Sequence, residues 1–240
     1  MVDPVTKLPN GYTTEVPGTF AGDTLVLPNP AGDVKWFDDF LFFSGAGAAG
    51  VDVYTSLNVG GANDAALLNA AAEPSGVVRV TSVNGQSDEP AIQLNNAPFA
   101  FSAGKQLWFE ARVRVPNLDN TAWEVGLQTI NASFVARNGI VLAKTLTMTG
   151  NVLSLFLDDA GELQTFTEGR VVADVWTRVA FHYDGNGTVN VYQDGRFLAA
   201  VTDLTNLPLD TLLAPTFLCF RGDTTTRTAD LDYFNILAER

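Results

Sequence analysis

An all-β antiparallel sandwich is the fold class this 240-residue sequence predicts. Three observations carry that expectation. Short runs alternate apolar with polar residues, the period of a strand with one face in a core. Turn formers separate the runs, with 21 glycines and 11 prolines in the chain. Helical periodicity is confined to one short stretch, Asn63–Glu73. Some twelve to fifteen strands with turns about every 8–12 residues read as a sandwich or jelly roll.

The alternation is clearest over Lys105–Gln128. Leu107, Phe109, Ala111, Val113 and Val115 face one way, and Trp108, Glu110, Arg112 and Arg114 the other. Pro116 ends the run and Asn117–Asn120 turns the chain. A second run follows, with Trp123, Val125 and Leu127 opposite Glu124, Gly126 and Gln128. Read as neighbouring strands, the two would share an apolar face and a mixed aromatic-charged face.

Taken in order, residues 1–33 form an extended, Pro/Gly-rich N-terminal arm, and residues 34–240 the β-sandwich domain. An arm of this composition holds a fixed path only against something else, either its own domain or a neighbouring subunit. The core begins at Lys35 with an aromatic strand, Trp36–Phe43, followed by a Gly/Ala loop at Ser44–Gly50 and a further strand at Val51–Leu57. Val77–Val83 and Ala91–Leu94 are strands, and Ser133–Thr149 holds one or two more. Val152–Leu157 and Leu163–Thr167 flank a hairpin turn at Asp158–Glu162. Val175–Tyr183 alternates again, with Trp176, Arg178, Ala180 and His182 on its polar side. Asp184–Gly187 returns the chain into Val189–Tyr192, and Asp194-Gly195 is a type I′ hairpin signal before Arg196–Val201. Leu212–Phe220 and Ala229–Leu237 complete the set.

Composition narrows the partners. With 27 acidic against 14 basic residues, net −13, the chain would be repelled by nucleic acid and by an anionic membrane. No run is long enough to span a bilayer as a helix, and the first residues show no secretory signal. The single cysteine, Cys219, lies in the apolar run Phe217–Phe220 and reads as a buried, inert thiol.

Chemistry-bearing patterns are few. Glu110 and Glu124 are expected on one non-core face beside Trp108, but a glycosidase needs carboxyls held at a set separation, about 5 Å in retaining enzymes. The clustered E-x-D-x-x-E strand of laminarinase-type enzymes is absent. Asp38-Asp39, Asp158-Asp159 and Asp184-Gly-Asn186-Gly lack the supporting ligands of a calcium site. His182, the one histidine, sits mid-strand, and Arg221-Gly222-Asp223 reads as a turn rather than an adhesion motif. No catalytic residue, metal or cofactor is expected. The candidate recognition face comprises Trp108, Glu110, Arg112, Arg114 and Gln128, joined by Trp176, Arg178 and His182 if their strand is adjacent. Aromatic and polar side chains in such a mixture grip sugars or anchor protein interfaces.

Five segments carry a resemblance: Trp36–Phe40, Leu107–Val115, Trp123–Leu127, Val189–Gly195 and Ala229–Ile236. Together they resemble tailed-bacteriophage virion proteins built on a concanavalin-like (laminin-G-like) jelly roll. The resemblance implies a non-enzymatic capsid decoration or cement protein. It would be made in the host cytoplasm and sit on the outer capsid surface, with the major capsid protein as partner and a homotrimer as the expected assembly. It covers about 200 residues and leaves out the arm, and its motifs specify strands and turns, not an active site. The legume-lectin metal pattern is not present. A carbohydrate-binding module or phage adhesin, with a glycan as ligand, is the alternative, and a glycanase the third reading.

Overall fold

The computed structural model describes residues 33–40, 54–57, 64–67, 76–82, 90–130, 138–146, 151–159 and 162–239. Fifteen strands lie among them, in two antiparallel sheets. In chain order they are β1 (Asp33–Asp38), β2 (Tyr54–Leu57), β3 (Asp64–Leu67), β4 (Val78–Ser82), β5 (Ala91–Leu94), β6 (Leu107–Arg114), β7 (Thr121–Gln128) and β8 (Gly139–Lys144). They continue with β9 (Val152–Asp159), β10 (Glu162–Arg170), β11 (Thr177–Tyr183), β12 (Val189–Gln193), β13 (Arg196–Val201), β14 (Ala214–Arg221) and β15 (Arg227–Glu239).

The first sheet runs β13-β12-β11-β6-β15-β4-β3, with β1 also paired to β15. The second runs β10-β9-β8-β7-β14-β5-β2. The strands expected to be neighbours, β6 and β7, therefore belong to different sheets. β6 pairs with β11 and β15, and β7 with β8 and β14. Val115 and Leu118 are buried in the connection between them. The Lys144 ammonium donates to the carbonyls of Leu118 at 2.6 Å and Thr121 at 2.7 Å, which holds that crossing in place.

Alternation sorts the side chains as the sequence predicts. Leu107, Phe109, Ala111 and Val113 face inward from β6, against Trp123, Val125 and Leu127 from β7. Phe109 stacks on Phe181 across the first sheet, with centroids 4.9 Å apart. Full burial of such rings contributes roughly 1.5–3 kcal/mol each. Trp36 packs on Tyr54, Phe99 and Phe234, tying β1 into this core. Asp38 bridges the sheets: Oδ1 accepts the Phe40 N–H at 2.8 Å, and Oδ2 accepts the Tyr54 hydroxyl at 2.9 Å.

Three local expectations change. The aromatic strand expected over Trp36–Phe43 ends at Asp38, where the Asp38 carboxylate accepts the Phe40 N–H and Phe40 turns to φ 56°; residues 41–43 lie outside the described residues. Residues 64–67, expected in a helical turn, form β3, because Asp64–Leu67 pairs residue by residue with Val78–Thr81 and that ladder outweighs local helix propensity. The hairpin turn after β9 is tighter than Asp158–Glu162, since Asp159 already pairs with Glu162. The type I′ reading holds: Asp194 and Gly195 have φ of 52° and 77°. Of the arm expected over residues 1–33, residues 1–32 lie outside the described residues, and Asp33 is the first residue of β1, paired with Glu239.

Candidate functional site

Registry builds the site on the outer face of the first sheet. On β6, Trp108, Glu110, Arg112 and Arg114 project away from the core. β11 lays His182 opposite Trp108, Ala180 opposite Glu110 and Arg178 opposite Arg112. β15 supplies the other flank, with Leu237 opposite Trp108, Asn235 opposite Glu110 and Tyr233 opposite Arg112. A register shift between Leu231 and Tyr233 returns the alternation to phase, so Asp230 faces Arg114. Trp176, Arg178 and His182 thus join the face as the sequence allowed.

Glu110, Asp230, Asp232, Arg79, Arg112 and Arg114 are each held by a partner. Asp230, fully buried, accepts from Arg79 (Nε 2.6 Å, Nη2 2.8 Å) and from Arg114 (Nε 3.0 Å, Nη2 2.9 Å). These bonds hold the Arg79 guanidinium above its usual range, against the cost of its burial. Arg112 donates to Asp232 at 2.7 Å. Arg112 and Arg114 both lie over the Trp176 ring, at 4.9 Å and 4.6 Å from its centroid. Glu110, 2% exposed, accepts the Tyr233 hydroxyl at 2.5 Å. Burial raises the Glu110 carboxyl above the ordinary carboxylate range, while the Tyr233 bond and the nearby Arg178 charge pull it down. Burial beside Glu110 in turn pushes the Tyr233 phenol up.

Gln128 does not belong to this face. It lies on β7, on the outer side of the second sheet, because the chain changes sheets between β6 and β7. There it is 2% exposed, and its amide nitrogen has no partner among the described residues. Glu124 sits on the same outer side, so Glu110 and Glu124 lie on opposite faces of the sandwich. The second sheet is closed to solvent on its outer side too: Val141, Ala143, Phe156 and Leu218 are buried there. On that outer side Glu124 and Asp158 are two strands and four residues apart in register, roughly 16 Å between Cα atoms. That exceeds the ~5–9.5 Å carboxyl separation of glycosidase pairs.

The sequence missed Phe37, Arg79, Asp230, Asp232 and Tyr233. Phe37 is 53% exposed and packs on Tyr233 at 5.8 Å. The polar phase of β15 was visible in Asp230 and Asp232, but not that β15 lies beside β6. Among the described residues no group of three or more His, Cys, Asp or Glu could hold a metal. Asp184 instead closes its own turn, accepting from the backbone of Asn186 at 2.7 Å and Thr188 at 2.9 Å. Arg221 of the Arg-Gly-Asp tripeptide is 2% exposed and is not presented for recognition.

Solved structures share this sandwich. The carbohydrate recognition domain of Emp47p is similar with TM-score 0.58 at 10% identity, over 87% of this chain and 97% of that one. A glycoside hydrolase family 16 endo-glucanase from Bacteroides ovatus gives TM-score 0.59 at 12% identity, over 84% and 99%. The fold is the concanavalin A-like lectin/glucanase jelly roll. A protein of unknown function from Shewanella oneidensis MR-1, SO2946, has TM-score 0.59 at 15% identity over 87% of each chain. Identities this low establish the fold alone. No protein-family model and no curated protein matches the sequence. The concanavalin A-like fold serves carbohydrate-binding lectins and family 16 glucanases alike.

Proposed function

We propose that the chain is a non-catalytic carbohydrate-recognition module. The observation that carries this reading is the outer face of the first sheet, where rings and planar polar groups are interleaved and fixed. A pyranose lays its C–H face on an aromatic ring and offers its hydroxyls to fork-like donors and acceptors. Phe37 and Tyr233 supply ring surface, and the half-exposed Arg112 guanidinium has further N–H groups beyond its bond to Asp232. Trp108 and Trp176 are buttresses, since their ring faces are taken by His182 and by the two arginines. Catalysis is disfavoured: Glu110, Asp230 and Asp232 are each engaged by their own donors rather than paired as acid and nucleophile.

The test is a glycan screen of the full chain, followed by Phe37→Ala and Trp176→Ala at equal folded concentration. Loss of a captured glycan in either variant supports the reading. A wild-type protein that retains no glycan overturns it.

A second reading, a capsid decoration or cement subunit of a tailed phage, is favoured by the composition of the same face. Arginine and tryptophan are the residues enriched at protein–protein hot spots. Quantifying the protein in gradient-purified virions tests it. Hundreds of copies per particle support decoration, a few copies support an adhesin, and absence removes the virion reading.

A further inference from the structure

A second surface lies at one end of the sandwich, where the two sheets meet edge to edge. There β10 closes the second sheet and β13 closes the first. A cleft of about 760 Å³ opens between them, lined by Val152, Gly169, Arg170, Gln193, Asp194, Arg196 and Leu198. That volume lies within the ~300–1,000 Å³ of small-ligand sites.

The cleft is built rather than incidental. The pairing of β10 with β9 shifts register between Thr167 and Gly169. At the shift, the Gln193 side chain clamps the β10 backbone across the gap between sheets. Its Nε2 donates to the Arg170 carbonyl at 2.5 Å, and its Oε1 accepts the Arg170 N–H at 3.3 Å. A Cβ at Gly169 would come within 2.4 Å of that Oε1, so a larger residue there would push the Gln193 amide off its clamp. Asp194 is anchored as well, its Oδ1 accepting the Arg178 N–H at 2.8 Å.

The charge in this cleft runs against the rest of the molecule. The chain is net −13, and Arg79, Arg112, Arg114 and Arg227 all sit on carboxylates. Arg170 and Arg196 take no ion pair among the described residues, yet both line one cleft, beside a floor of Val152 and Leu198. Two guanidiniums on one cleft, neither in an ion pair among the described residues, offer N–H donors to an oxyanion. The apolar floor suits the C–H face of a sugar ring, and Asp194 at the rim suits a hydroxyl.

We propose that this cleft binds an acidic saccharide, a pyranose carrying a carboxylate or a sulfate group. In taking the ligand to be a saccharide it rests on the carbohydrate-recognition reading; the residues and the surface are separate from the sheet face.

The experiment is calorimetric titration of the full chain with trigalacturonate, a sulfated disaccharide, neutral galactotriose and inorganic sulfate, on wild type, Arg170→Gln, Arg196→Gln and Phe37→Ala. Both arginines are exposed, so circular dichroism should show the variants folded. At least one acidic probe is expected to bind wild type, about tenfold weaker in each arginine variant and about tenfold tighter than galactotriose. The carboxylated and sulfated probes separate the two sources of the oxyanion. Binding of neither overturns the inference, and so does equal binding of inorganic sulfate, which would make the site a plain anion site. Acidic-probe binding lost in Phe37→Ala but kept in the arginine variants overturns the cleft and leaves the sheet face standing. Binding lost only in the arginine variants supports the cleft whatever becomes of the sheet face.

Discussion

Trp108 and His182 stand opposite each other on β6 and β11 and stack with ring centroids 3.4 Å apart and planes 6° from parallel. The His182 Nε2 is also within 3.1 Å of the Gln106 amide oxygen, a second contact that fixes the ring. A double-mutant cycle with Trp108→Ala and His182→Ala should give a coupling energy of about 0.5–1.5 kcal/mol by urea unfolding. Additive losses would mean that the rings touch without supporting each other.

Asp230 is the most constrained carboxylate in the protein's described residues, opposite Arg79 on β4 and Arg114 on β6. Its side chain is fully buried, while the Arg79 side chain is 32% exposed and Arg114 18%. Removing the acid leaves two guanidiniums facing each other with only the exposed Asp174 carboxylate, 4.0 Å from Arg114 Nε, as counter-charge. Asp230→Ala should therefore cost about 3–5 kcal/mol, and Arg79→Ala, whose loss leaves Arg114 in place, about 1 kcal/mol. Urea midpoints for both variants check this, and equal losses would contradict it.

Cys219 is wholly enclosed by the core on β14. Burial, with a smaller contribution from the Asp230 charge, pushes its thiol up to about 12. A neutral thiol without solvent access should not react with an aromatic disulfide reagent at pH 8 until the protein unfolds, because only the thiolate attacks. Native-state labelling should therefore track unfolding as denaturant is added. Stoichiometric labelling of the native protein within seconds would show that the enclosure opens.

What the sequence disclosed and what it withheld divide along local and long-range physics. Alternation in Leu107–Val115 and Val175–Tyr183 depends on neighbouring residues alone, so strands, inward faces and the Asp194-Gly195 turn were legible. Sheet membership depends on partners far along the chain. β6 joins β15, 120 residues away at Arg112 and Asp232, and nothing near Pro116 announces that the next strand enters the other sheet. That one unread crossing put Gln128 and Glu124 on the wrong face. It also hid Tyr233 and Asp230, the groups that hold Glu110 and Arg114. Residues 64–67 failed for the related reason that pairing with β4 overrides an alanine-rich local preference.

Glu110 makes the electrostatics of the face testable by pH. Burial lifts its carboxyl in the folded state, and the Tyr233 hydroxyl and Arg178 recover only part of that. Because the folded pKa is raised, the native state holds this proton to higher pH than the unfolded chain does, and linkage makes stability fall as pH rises between the two values. The contribution is complete below the ordinary glutamate range, about pH 4, and is lost as pH climbs through the raised folded value. Glu110→Gln has no proton to lose, and its amide oxygen can still accept from Tyr233. Urea unfolding of both proteins in steps from about pH 4 to pH 8 should show the variant gaining on wild type across that window and then running parallel to it. Any constant offset from the exchanged amide drops out of the slope. A difference that moves the other way would mean that Arg178 and Tyr233 outweigh burial, and that Glu110 is held as the charged form.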